Sequence, residues 1–316
     1  MPGSPGIFPK NDGDSIYAAD YNNISSVVDS LLGVGLADSG YGQSYTSLSP
    51  GASTQITVSQ WSQLRTNLLR IRQHQTGLDE STNLTVPSNV DLITNELVNQ
   101  YKTFATTCNS NRLTIASNQG SLDPFAQTIG FGSWNGTRQH VITITFSGPN
   151  AARHWFNAGG QFRFTASMVA AAANSKNISW VNLLSNMGTI TFNHGSTTYS
   201  GSGASTVQTS IGWYGLTTSD QTLFVMPAAA GVYLENDYNI QARKNANDNT
   251  ATVLTFTIQF RDDDTGDPPI TPLPKGATPG GVDENVSGDL TSTVQVFRPV
   301  GTNVQLSAPA FTQSGF

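Results

Sequence analysis

The chain has 316 residues, with 15 Lys or Arg against 21 Asp or Glu, for a formal net charge of −6. Charged residues make up 11% of it, against about 25% in an ordinary soluble domain, and the missing share has gone to Ser, Thr, Asn, Gln and Gly. That balance excludes a highly charged disordered chain, and with no excess of cation to neutralise phosphates it argues against a nucleic-acid partner.

The first third reads as helical. Tyr17, Tyr21, Ile24, Val28 and Leu31 recur at steps of 4, 3, 4 and 3, one apolar stripe on a helix. Ser15 or Asp14 can cap it, or it starts at Asp20, and Gly33 and Gly35 end it. After a polar, glycine-rich stretch, Ile56 and Val58 make a short extended piece. Ser59 then caps a second helix with Trp61, Leu64, Leu68 and Ile71 on one face, closed by Gly77. A third begins after Pro87, where Ser88 and Asp91 resemble a capping box. Its face carries Ile93, Leu97, Tyr101, Phe104 and Cys108.

Past residue 118 the period changes to two. Ile142, Ile144 and Phe146 alternate with polar residues, as do Phe162, Phe164, Ala166 and Met168, then Leu254, Phe256, Ile258 and Phe260, then Val294 and Val296. Shorter versions occur at 189–193 and 238–243, and a short helix at 177–187 interrupts the series. Strands with one wet and one buried face are the antiparallel habit. The expected fold is therefore α+β: a helical part over 1–118, then an antiparallel β-sandwich of jelly-roll or Ig-like type over 119–316. The stretch 262–289 holds Pro268, Pro269, Pro272, Pro274 and Pro279, a third of the 15 prolines. It reads as a long excursion between two strands, too long for a hairpin turn.

Catalytic signatures are absent. The sequence has no H-E-x-x-H, G-x-S-x-G or G-x-x-x-x-G-K, and His74, His140, His154 and His194 lack metal-ligand spacing. The one cysteine, Cys108, allows no internal disulfide and reads as a small buried hydrophobe. No apolar run is long enough to span a bilayer, and the first residues do not look like a secretory leader. Three polar or aromatic clusters remain. Asp262, Asp263, Asp264 and Asp267 are the candidate calcium ligands, since hard cations take carboxylate oxygens from tight loops; solvated turn caps are the plainer reading, and no other cofactor is expected. Trp213, Tyr214 and Trp155 are the candidate glycan-stacking aromatics, set against the commoner role of aromatics as sandwich core. A hydrolase would need paired carboxylates across a groove, for which Asp220, Glu235 and Asp237 are the few strand-side acids.

Five stretches carry a resemblance. Asp14 to Ile24 (DSIYAADYNNI), Gly40 to Gln43 (GYGQ) and Val58 to Asn67 (VSQWSQLRTN) look like the opening of virion structural proteins of large, contractile-tailed bacteriophages, cyanophages among them. Phe260 to Asp267 (FRDDDTGD) with Asp283 to Leu290 (DENVSGDL) are similar to the C-terminal region of those proteins. The resemblance implies a non-enzymatic virion component of the tail, neck, fibre or baseplate. It would act as a homo-oligomer, trimer or hexamer, docked on other virion proteins. A host-surface glycan-binding module is the alternative, and a capsid decoration protein the second. On this reading Tyr17, Tyr21, Ile24, Trp61, Leu64 and Leu68 form the helical assembly interface, and the excursion and both polar termini are arms that reach neighbouring subunits.

Overall fold

A computed structural model describes residues 8–35, 38–51, 54–88, 93–123, 126–229, 233–263 and 285–315. Within them lie five α-helices and two antiparallel sheets built from twelve strands. The chain divides into two compact units, but not at one boundary. The first joins residues 1–121 to 150–160 and 298–307; the second takes 122–149, 161–297 and 308–316. The single border expected at residue 118 is thus replaced by an interleaved division, because two later segments add packing groups to the helical unit.

In the helical unit, α1 spans Ala18–Leu31, α2 Val58–Thr76 and α3 Asn95–Ser110. The caps differ from those expected. Tyr17, not Ser15, precedes α1, and its amide donates to Asp20 Oδ2 at 2.8 Å. Thr57, not Ser59, caps α2, because its reciprocal partner Gln60 stands three residues on. Gln60 N donates to Thr57 Oγ1 at 3.3 Å, and Thr57 N donates to Gln60 Oε1 at 2.7 Å. Thr94 caps α3, accepting from Leu97 N at 3.2 Å; the expected partner of Ser88, Asp91, lies outside the described residues. Gly77 ends α2 at φ 73°, the left-handed conformation that only glycine adopts freely. The short helix α4 (Pro149–Asn157) was not legible in the sequence. It buries Ala152, Trp155 and Phe156, and Ala158 just beyond it accepts from His74 Nε2 at 2.9 Å.

In the sheet unit the strands are β2 (Gln127–Phe131), β3 (Gly136–Thr145), β4 (Gln161–Ala170), β5 (Ile190–Phe192), β6 (Thr197–Tyr199), β7 (Thr206–Val207), β8 (Gln221–Pro227), β9 (Asp237–Lys244), β10 (Val253–Asp262), β11 (Gly288–Pro299) and β12 (Ala310–Gly315). The remaining short strand, β1 (Gly120–Leu122), lies at the division between the units. One sheet runs β11-β4-β5-β6 with β2 on the other flank of β11; the other runs β12-β3-β10-β9-β8-β7. Register is regular: Phe256 of β10 stands between Ile142 of β3 and Ala242 of β9. Rings from the two sheets interlock, Phe164 and Phe192 meeting Phe256 edge-on with centroids 4.7 and 5.1 Å away. Such pairs add about 0.5–1.5 kcal/mol each beyond their area. Helix α5 (Ser175–Met187) follows β4, capped by Asn174. The C-terminal segment, expected to be an arm, instead supplies β12, which pairs with β3 of its own chain from Ala310↔Thr145 to Gly315↔His140.

Candidate functional site

The residues expected at an assembly interface are core. Tyr21, Ile24, Trp61, Leu64 and Leu68 are at most 2% exposed; only Tyr17, at the helix start, is open at 38%. Trp61 takes Tyr21 and Tyr101 edge-on, with centroids 5.4 and 4.8 Å away. The apolar stripes of α1, α2 and α3 pack into one core cluster. The sequence could not separate these cases, since a stripe reads the same whatever covers it.

The glycan platform is corrected likewise. Trp213 is fully buried and Trp155 is 1% exposed, leaving Tyr214 alone at 40%. Trp155 packs on Phe156 within the helical unit. In the sheet unit Trp213 meets Phe146, and Lys244 Nζ lies 4.9 Å from its ring and donates to Trp213 O at 2.8 Å. A sugar cannot reach rings held this way.

The acidic run splits. Asp262 is buried, and its Oδ1 lies 2.9 Å from Lys176 Nζ, itself fully buried. Asp263 is exposed, and Asp264 and Asp267 lie outside the described residues. Among the described residues no group of three His, Cys, Asp or Glu side chains is placed to hold a metal ion. The Asp262 carboxylate faces an ammonium at hydrogen-bond distance.

The strand-side acids are also engaged. Asp237 takes a bidentate grip from Arg261, Nε to Oδ1 at 2.8 Å, and Asp220 a grip from Arg243 at 2.7 Å. Glu235 is exposed. Burial pushes His74 down to about 4 and lowers His140, His154 and His194, so all four stay neutral near pH 7. Burial also pushes the Cys108 thiol up to about 12, which keeps it protonated and inert.

The stretches 14–24, 40–43, 58–67 and the described parts of 260–267 and 283–290 are taken up in packing and internal polar contacts. Asp20 is fully buried 3.0 Å from Lys10 Nζ. Tyr41 OH donates to Arg112 O at 2.6 Å, and Gln43 exchanges hydrogen bonds with the backbone of Gln305. Gly42 stands at φ 65° with His154 so close that a Cβ would fall 2.2 Å from Nδ1. Asn67 Nδ2 donates to Thr46 O at 2.8 Å. At the other end Phe260 is core, Asp262 pairs with Lys176, and Ser287 N donates to Asn177 Oδ1 at 2.8 Å. Sequence reasoning missed Lys10 and Lys176, which have no distinguishing neighbours in the chain.

A cavity of about 590 Å³ in the helical unit is lined by Ser26, Val27, Asp29, Ser30, Val34 and Tyr45 among others. Its carboxylate, Asp29, already accepts from Tyr45 OH and from Ser47 Oγ. Among the described residues that line it there is no His, Cys, Lys or second carboxylate.

The arrangement defines a class: a helical unit and a two-sheet unit whose buried polar side chains fasten the chain to itself. No family model, curated protein or solved structure matches the chain. Among the described residues no helix is long and apolar enough to cross a membrane.

Proposed function

We propose that this chain is a non-enzymatic structural component of a tailed-bacteriophage virion, on the tail, neck, fibre or baseplate, acting by assembly with copies of itself and with other virion proteins. We read its two sheets as a sandwich that projects from or covers the particle. One observation supports the reading above others. The stretches that resemble virion structural proteins are occupied in cores, buried ion pairs and backbone clamps, as in Tyr21 against Trp61 and Lys176 against Asp262. Residues used in this way specify a shape rather than a reaction. A weakly charged surface rich in Thr, Asn and Gly suits a protein that must stay folded outside a cell.

The test is the protein content of particles banded on a density gradient from a lysate of the phage that carries this gene. The chain is expected in the intact particle at a fixed ratio to the major tail and capsid proteins. Its presence only in the unassembled fraction would overturn the reading.

A further inference from the structure

The sheet unit closes one of its sides and leaves the other open. On the closed side the chain ties β6 to β7: Thr197 N donates to Gln208 O at 3.3 Å, and Gln208 N to Leu223 O at 2.8 Å. On the opposite side the outermost strands are β12 of one sheet and, both paired to β11, β1 and β2 of the other. β12 and β2 are neighbours. A Cβ on Gly315 would lie 3.0 Å from the Ile129 side chain, and His140 of β3 hydrogen-bonds Ser292 of β11 at 2.8 Å and Gln313 of β12 at 3.2 Å. Among the described residues no strand lies beyond either.

Natural edge strands are blunted by lysine, proline, a bulge or very short length, because an open ladder templates pairing. Neither strand here uses those devices. β12 reads Ala-Phe-Thr-Gln-Ser-Gly and β2 reads Gln-Thr-Ile-Gly-Phe, with no charge and no proline. β12 keeps unbroken register with β3 over six residues, and β2 with β11 over five. Phe311 is half-buried against Phe162, while Thr312, Gln313 and Ser314 are exposed, Gln313 still reaching His140.

We propose that this open side is a self-association surface, taken by a second copy of the chain about a two-fold axis normal to the sheets. That axis lays β12 antiparallel against its counterpart, and the same operation sets β2 against its own. Both uncharged edges are met at once, which a single peptide strand could not do. An isologous contact also asks only that each strand match itself, and Thr, Ser and Gln do so by hydrogen bonding. The inference deepens the assembly reading above and rests on it for the supposition that the chain associates with itself. The surface lies on strands, where the helical stripes are already consumed internally.

Light scattering and sedimentation of the full chain across about 5–200 μM test it, a range chosen for a weak interface. The mass is expected to rise with concentration from 33.6 kDa towards twice that value. Amide exchange in Thr312–Gly315 and in β2 is expected to slow with it. The variant Thr312→Lys/Ser314→Lys is expected to weaken association about tenfold or more by like-charge repulsion, with an unchanged melting temperature showing that the fold survives. Mixing it with Thr312→Glu/Ser314→Glu is expected to restore association. A monomer at every concentration, or a dimer indifferent to both variants, would overturn the proposal. Neither result bears on whether the chain is found in particles, which the gradient decides separately.

Discussion

Lys176 Nζ and Asp262 Oδ1 lie 2.9 Å apart with both side chains shut off from solvent, and the next residue, Asn177, accepts from Ser287 N and donates to Ser287 Oγ. Two consecutive residues at the start of α5 therefore hold both feet of the proline-rich excursion. The segment that reads as a loose insertion leaves and rejoins the sheets at one clamp, which fixes where β10 ends and β11 begins.

Breaking that clamp on one side leaves a buried charge behind. Lys176→Met is expected to destabilise the protein by about 3–5 kcal/mol in urea unfolding, whereas Lys176→Met/Asp262→Leu recovers much of the loss. A double variant as unstable as the single one would show that the ion pair itself is not the source.

Trp61 and Trp213 are core residues, so truncation is expected to act on stability. Trp61→Ala and Trp213→Ala should each cost about 3–5 kcal/mol, read from the urea midpoint. A Trp213→Ala protein of unchanged stability would mean that the ring is not held by Phe146 and Lys244 as described.

Stability should fall on acidification below neutral. His74 is held neutral in the fold down to about 4 by burial, against an ordinary value of 6.5. Between those values the unfolded chain binds the proton and the folded chain does not, so unfolding is favoured as pH falls. The contribution is fully present above 6.5 and is gone below about 4; a shift of this size is worth about 3 kcal/mol. Urea titrations stepped across that window should show the slope, and His74→Gln should flatten it.

Cys108 is expected to resist thiol reagents at pH 8 in the folded protein, because burial raises its pKa to about 12 and no solvent reaches it. Labelling should become fast in urea along the same curve as loss of helical signal. Fast labelling of native protein would mean that α3 opens locally.

Periodicity located most elements. The stripes from Tyr21 to Leu31 and from Trp61 to Ile71 became α1 and α2, and the alternations at Ile142, Phe162, Leu254 and Val294 became β3, β4, β10 and β11. These signals are local, because a face that must be buried repeats at the period of its own backbone. What buries each face is not local. Trp61 opposite Tyr21 and Trp213 beneath Lys244 are consequences of the fold, and so the aromatic platform and the helical interface read from the sequence dissolved into core. Lys10 and Lys176 look like any surface lysine until Asp20 and Asp262 are brought to them. β12 carries no apolar alternation at all; it is a strand because β3 offers it a ladder. The sequence by itself determined which segments are helix and which are strand, through the spacing of side chains along one backbone. Only the tertiary structure decided which polar groups are consumed inside the chain and which strand edges remain open, because burial and hydrogen bonding are settled by residues far apart in the chain.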